Sequence, residues 1–316
     1  MDDAVEIIAF GSCADERGPA PIWKTIVEMK PDAFVLLGDN VYIDSGDPKQ
    51  MDKAWARLGR RPGYRQLAES TPIFGVWDDH DFGKNDAGVE WAGKWMARTA
   101  LLDFFAVPAD AERRTRGGAI YDAVTWGSAD HVVQLVLLDT RWDRTPLKTA
   151  DRRSELRGQG PYVPNPDPAA TLLGEDQWAW LADRLAQPAA LHLVGSSIPV
   201  LPEFTGWETW ANMPLQRQRL IEAARAASGP VVFLSGDTHW AELSHIAPDL
   251  YELGSSGLTE SWDKPADNIH RQGGLVATVN NFGVVGFDWA RRVADLQIRD
   301  VRGATLWSQS VPMGPP

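Results

Sequence analysis

The sequence predicts a layered α/β sandwich with buried central strands. Short apolar, β-branched runs recur along the chain with amphipathic helical stretches between them. Beyond residue 249 the pattern changes to extended runs separated by glycine and charged turns, so the C-terminal part is β-rich. Composition is the third observation. The chain has 316 residues, 44% of them hydrophobic, enough to bury a large core. No repeat, low-complexity segment or linker divides it, and one domain over residues 1–316 is expected.

Residues 5–10 are a short apolar run ended by Gly11-Ser12, a strand feeding a loop. Residues 21–29 carry Ile22, Ile26 and Val27 at helical spacing, and residues 33–37 form a second buried strand closed by Gly38-Asp39. A helix is expected around residues 53–67; a third strand, 73–77, runs straight into Asp78. Residues 90–105 read as a long amphipathic helix stopped by Pro108, and residues 131–138 as a strand ending in Asp139-Thr140-Arg141. A proline- and charge-rich excursion near 144–170, densest over 151–169, reads as a surface loop. Then come a helix at 177–185, a strand at 191–194, a helix at 214–227 with proline in its first turn and a strand at 231–234. Short strands at 251–253, 284–289, 294–298 and 305–308 complete the pattern.

A net charge of −12 argues against a phosphate-backbone partner, and no nucleic-acid-binding surface is expected. Cys13 is the one cysteine, which excludes an intrachain disulfide. No apolar stretch approaches the roughly 20 residues of a spanning helix. Met1-Asp2-Asp3-Ala4 has neither a basic n-region nor an apolar h-region. A cytoplasmic protein is the expectation, or a periplasmic or secreted one had a leader been removed.

Three Asp/His-rich segments each follow an apolar run directly: Gly38-Asp39-Asn40-Val41-Tyr42, Trp77-Asp78-Asp79-His80-Asp81 and Ser235-Gly236-Asp237-Thr238-His239. Cys13 follows a fourth. Carboxylates and imidazoles at the ends of buried strands are costly unless compensated, and a bound cation compensates them. In open α/β sheets ligands gather outside the carboxyl ends of the strands, so these residues would converge there. A Gly-Asp turn alone is ordinary turn chemistry; three such segments and a cysteine together point to a metal-dependent hydrolase.

Phe10-Gly11-Ser12-Cys13, Leu37-Gly38-Asp39-Asn40-Val41-Tyr42, Trp77-Asp78-Asp79-His80-Asp81 with Asn85-Asp86, Leu138-Asp139-Thr140-Arg141, Leu173-Gly174 with Gln177-Trp178 and Trp180-Leu181, and Leu234-Ser235-Gly236-Asp237-Thr238-His239 occur in that order. This set resembles the alkaline phosphatase D (PhoD-like) family of the calcineurin-like metallophosphoesterase superfamily. The resemblance implies a four-layer αββα sandwich of two mixed sheets flanked by helices. It also implies hydrolysis of small-molecule phosphate esters at alkaline pH with iron(III) and calcium; zinc, manganese and magnesium stand as alternatives.

By the same resemblance Cys13 is an iron ligand, replacing the superfamily's Asp-x-His. A thiolate suits iron or zinc, although a lone cysteine is also commonly a small buried hydrophobe. Asp39 aligns with the bridging carboxylate. Asp78 and Asp79 end the third strand; Asp79 stands where the superfamily has Asn, adding charge that favours a hard cation such as calcium. Asp237 and His239 replace the Gly-His-x-His pair. A tyrosine ligand is implied, and Tyr42 and Tyr64 are both candidates. Asn85 and Asp86 would complete a calcium shell or cap the following helix. Arg141 would grip a phosphate oxygen or pair with Asp139 or Asp143.

Two cations sharing Asp39 would polarise a water toward hydroxide and clamp the phosphoryl oxygens, with His80 protonating the leaving oxygen or stabilising its charge. Trp77, Trp142, Trp207, Trp210, Trp240 and Trp262 lie in or near the motif loops, as pocket lining or as packing. Gly195-Ser196-Ser197 and Gly254-Ser255-Ser256-Gly257 do not match the Gly-x-Ser-x-Gly elbow of serine hydrolases. A binding homologue without turnover and a hydrolase of another ester are the competing readings; oligomeric state is not legible.

Overall fold

The computed structural model describes residues 3–150, 160–203 and 206–314. A six-stranded sheet begins with three parallel neighbours, β1 (Ile7–Gly11), β2 (Ala33–Leu37) and β3 (Ile73–Val76). A seven-stranded sheet contains β4 (Asp122–Trp126), β5 (Val133–Leu137), β6 (Leu191–Ser196), β7 (Val231–Ser235), β8 (Ala241–Ile246), β9 (Leu250–Ser255) and β10 (Arg271–Ala277), with β5, β6, β7 and β9 parallel. The first sheet is completed by β11 (Asn281–Asp288), β12 (Val293–Asp300) and β13 (Thr305–Pro312), in the order β13-β12-β11-β1-β2-β3. Antiparallel additions at both sheets make them mixed, as expected.

Strands buried on both faces explain the continuous apolar runs. In β2, Phe34 meets Trp23 of α1 (Ile22–Met29) on the outer side, at 5.6 Å between ring centroids. On the inner side Leu37 reaches Gly195 of β6, where an added Cβ would lie 2.9 Å from Leu37. One apolar core therefore joins both sheets and the helices over the first. A second core lies between the seven-stranded sheet and the helices α7 (Glu175–Leu185) and α8 (Pro214–Arg225). Two sheets between two layers of helices give the expected four layers.

Some boundaries differ from the sequence reading. The helix expected over 53–67 is two, α2 (Pro48–Gly59) and α3 (Pro62–Ser70), because Pro62 lacks the N–H to continue the first and starts the second. The helix expected over 90–105 forms only as α5 (Lys94–Phe104); a single turn, α4 (Asp79–Phe82), and a second, α6 (Glu112–Thr115), flank it. Of the surface loop expected near 144–170, residues 151–159 lie outside the described residues, while Tyr162, Val163 and Asn165 are tied by backbone bonds to Gly206, Lys148 and Asn212. Among the described residues no helix is long and apolar enough to cross a membrane.

One buried titratable group in this scaffold yields a test. His192 on β6 is fully buried, its Nδ1 3.1 Å from Gln134 Oε1, and burial lowers its pKa from 6.5 to about 4. The folded state therefore resists protonation that the unfolded chain accepts. Stability from this group is complete above pH 6.5 and is lost as pH falls through 4. The loss amounts to about 3 kcal/mol at most, at 1.36 kcal/mol per unit. His192→Gln should flatten the acid limb of a melting-temperature profile between pH 6.5 and 4 relative to wild type; parallel profiles would refute the assignment.

Candidate metal centre

All the parallel strands deliver their carboxyl ends to one end of the sandwich. In register, Gly11 pairs with Leu36 and Leu37 with Val76, so the turns carrying Cys13, Asp39 and Asp78 lie side by side. From the other sheet, Ser235 of β7 pairs with Gly254 of β9, which brings Asp237 level with Ser256. A bridge between Ser12 and Ser256 ties the two sheets together there. The turns are tight. Gly38, at φ +100°, stands so close to the next turn that a Cβ would lie 2.4 Å from Asp78 Cβ. Ten described non-glycine residues have positive φ, and five of them are Cys13, Asp39, Asp86, Asp237 and His239. Such backbone is held only where the surroundings over-determine it, and here it aims side chains at a common point.

Donor atoms of Cys13, Asp39 and His239 lie within 4.8 Å of one another. Cys13 Sγ is 3.6 Å from Asp39 Oδ2 and 3.0 Å from Ser256 Oγ, and Ser256 Oγ accepts from His239 N at 2.8 Å. His239 Nδ1 sits 3.0 Å from the Glu260 carbonyl. Burial, then the charge of Asp78, raises the Cys13 pKa. Tyr42 belongs to this group: its hydroxyl is buried beside Cys13, and burial, then Cys13 and Asp39, push its pKa well up. Tyr64 does not. It lies in the core of α3, edge-on to Trp23 and stacked on Phe104 at 5.6 Å, and the expectation that it competes for the ligand position is corrected.

A second group is purely carboxylate. Asp39, Asp78, Asp79 and Asp237 offer oxygens within 4.8 Å of one another, and Asp79, Asp86 and Glu208 form another such set. Burial, then neighbouring carboxylates, hold Asp39 and Asp237 well above the usual range. Burial likewise raises Asp78 to about 6 and Asp86 to about 7. Asp79 goes down: burial opposes this, but Arg141 and His80 outweigh it. Asp78 Oδ2 is buried with no partner. Asp86 caps no helix, since α5 starts at Lys94 after Gly93; its N–H donates to Asp79 Oδ2 at 2.8 Å and its own Oδ2 accepts from Tyr162 at 2.5 Å. Asn85 lines the cavity.

Of the two roles the sequence leaves open for Arg141, phosphate grip or ion pair, the structure shows the ion pair, made with Asp78 and Glu208 in place of Asp139 or Asp143. Its side chain is wholly buried beneath the carboxylates and does not line the cavity, so it cannot grip a substrate phosphate. Its Nε donates to Asp78 Oδ1 at 2.7 Å, and Nη1 and Nη2 donate to the two oxygens of Glu208 at 2.9 and 2.6 Å. Arg144 adds an ion pair to Glu208 at 3.1 Å. Asp139 serves the turn itself, accepting from the backbone of Ile120, Arg141 and Trp142 and from Trp77 Nε1. Gln177 clamps the same residue from α7 through Asp139 N–H and carbonyl.

These groups surround a cavity of about 130 Å³ lined by Asp39, Asp79, His80, Asn85, Asp86, Trp207, Glu208, Asp237, Thr238, His239, Trp240 and Trp262. His80 Nδ1 is 2.8 Å from Asp44 Oδ2 and its ring lies 4.5 Å from Tyr42, which leaves Nε2 for the cavity. Burial works to lower the His80 pKa, but the Asp44 bond and the charge of Asp79 raise it to about 9. Sequence reasoning missed Glu208 and Tyr162. Both come from loops with no strand-end signature, and the one hint was an acid between two tryptophans in Trp207-Glu208-Thr209-Trp210. Of the motif tryptophans, Trp207, Trp240 and Trp262 line the cavity, whereas Trp77, Trp142 and Trp210 are core.

The family model of PhoD-like phosphatases matches residues 8–265. The chain belongs to that family. As a PhoD-like phosphatase it is a metal-dependent phosphoester hydrolase. No curated protein matches it. Among solved structures, one of PhoD is 18% identical with a TM-score of 0.73, covering 98% of this chain and 69% of that one. A dimetal phosphatase from Danio rerio is 14% identical, TM-score 0.57, covering 99% and 100%. A purple acid phosphatase from yellow lupin (Lupinus luteus) seeds is 13% identical, TM-score 0.60, covering 98% of this chain and 54% of that one. At these identities the likeness is one of fold, and it is the metallophosphoesterase sandwich.

Removing the buried guanidinium should expose its role. Arg141→Met leaves Asp78 and Glu208 buried without their main partner, a change worth about 3–5 kcal/mol. At roughly 2–4 °C per kcal/mol for a chain of this size, the melting temperature should fall by about 10 °C. A variant with wild-type stability and only a raised KM would restore Arg141 as a phosphate-binding residue.

Proposed function

We propose that this PhoD-like phosphatase acts as an alkaline phosphatase or phosphodiesterase on small-molecule phosphate esters, with iron(III) and calcium as its metals. The observation that supports this most is the division of the donors. One wall offers a thiol, an imidazole and a phenol, the other only carboxylates, and Asp39 is common to both. Sulfur and phenolate donors suit iron(III), and carboxylate oxygens suit a hard cation. The unpartnered Asp78 Oδ2 is the kind of buried orphan that a cation would satisfy. Zinc, manganese or magnesium in the same positions is the alternative loading.

Cys13, Tyr42, Asp39 and His239 would hold the iron; Asp39, Asp78, Asp79 and Asp237 the second cation, with Asp86, Asn85 and Glu208 at its outer side. Bound there, such cations supply Lewis acidity toward phosphoryl oxygens and acidify a water. The chain's own contributions are positional. Asp39 fixes the spacing of the two groups. His80, oriented by Asp44, presents Nε2 to the cavity to donate a proton to the departing ester oxygen. Arg141, through Asp78 and Glu208, locks the floor.

The metal assignment is checked by elemental analysis and an absorption spectrum of the purified protein. Iron with a visible charge-transfer band is expected, lost in Cys13→Ser, and Asp39→Asn should lower metal content and rate together. Calcium or magnesium alone, with spectrum and metals indifferent to Cys13, would overturn it.

His80 has a separate test. General acid assistance is worth about 10²- to 10⁴-fold, so His80→Ala should lose that much rate on alkyl esters and much less on p-nitrophenyl esters, whose leaving group needs little protonation, while retaining its metals. Equal loss on both substrates with an emptied centre would make His80 a ligand instead.

A further inference from the structure

Trp207 and Trp262 stand at the mouth of the cavity, 42% and 46% exposed. Exposed tryptophan is ordinary when it is scattered over a surface. These two instead meet each other edge to face, with ring centroids 6.2 Å apart at 69°. Both are fixed by their backbones. Trp262 N–H donates to the His239 carbonyl at 2.7 Å, and the Trp262 ring lies parallel to the His239 imidazole at 4.4 Å and 7°. The Trp207 carbonyl accepts from Asn212 Nδ2 at 2.9 Å, and its neighbour Glu208 is gripped by Arg141 and Arg144.

The rest of the lining is mostly carboxylate, with two imidazoles, Asn85, Thr238 and Trp240, and none of the described residues lining the cavity is lysine or arginine. An anionic extension on the leaving group would meet no lysine or arginine among the described residues there, and five carboxylates. A planar uncharged one would find the Trp262 ring, stacked 4.4 Å from the His239 imidazole, and the Trp207 ring meeting it edge to face. We propose that Trp207 and Trp262 form a stacking platform for the leaving group, which makes aryl phosphate esters the substrate class. This rests on the phosphoester reading given above and adds the specificity to it.

The test separates binding from turnover. Non-hydrolysable 2-naphthylphosphonate, cyclohexylphosphonate and methylphosphonate are titrated into the metal-loaded protein by calorimetry, and 2-naphthyl phosphate is assayed for hydrolysis. The naphthyl compound should bind more tightly than the cyclohexyl one. Trp207→Ala and Trp262→Ala should each remove roughly 2- to 12-fold of that preference, the equivalent of one aromatic pair, and Trp207→Phe and Trp262→Phe should restore most of it. Metal content is measured for each variant, because Trp262 touches His239. Equal binding of the naphthyl and cyclohexyl compounds, a preference that survives both alanine variants, or no binding of either would overturn the platform. Tight, tryptophan-dependent naphthyl binding without hydrolysis would support the platform and overturn the hydrolase reading instead.

Discussion

The mutual repulsion of buried carboxylates governs this end of the molecule. Asp39, Asp78, Asp79 and Asp237 crowd their oxygens within 4.8 Å, and the guanidinium of Arg141 is shared between Asp78 and Glu208. Unit charges a few ångströms apart in a protein interact by several kcal/mol, and burial removes the water that would screen them. The cluster responds as it must: Asp39, Asp78 and Asp237 are pushed up, while Asp79 is held down by Arg141 and His80 against its own burial. A site so short of positive charge is an affinity for cations built in advance.

Holding it together falls to the backbone. Parallel strands from two sheets end at one level, and Ser12 and Ser256 bridge them. Five ligand-candidate residues accept positive φ there, and two of them are anchored through the backbone: Cys13 N–H bonds to the Gly38 carbonyl, Thr259 N–H to the Cys13 carbonyl, and Ala14 N–H to the Asp39 carbonyl. The strain is paid where the donors must be aimed, and the rigid sheets behind them keep the aim.

Legibility in the sequence follows the same division. Cys13, Asp39, Asp79, Asp237 and His239 are readable because each stands directly behind an apolar strand, and strand ends have only one place to go in such a sheet. Arg141 stands behind a strand as well, yet its side chain turns inward to the floor; sequence spacing does not record that direction. Tyr64 is a candidate by residue type and by an expected loop position upstream of the third strand, but that segment is helix and its ring belongs to the packing of α3 on α1. Glu208 and Tyr162 come from loops whose position is set by contacts to Arg144 and Asp86 far away in sequence. Strands β4, β8 and β10 escaped for a related reason: they are half-exposed or polar, and their pairing rather than their composition makes them strands.

Arginine is thus used here in the opposite way to a phosphate clamp. Arg141 and Arg144 are spent on the floor, where they make Glu208 and Asp78 affordable to bury, and no described lysine or arginine lines the cavity. Anion recognition is then left to the cations that the carboxylates collect and to His80, while the apolar part of a ligand meets tryptophan. Charge that develops on the phosphoryl oxygens would be met by groups whose own position is fixed by the same carboxylates, so binding of metal and binding of substrate become one electrostatic problem. Weakening the floor at Arg141 therefore disturbs both at once, although the residue touches neither.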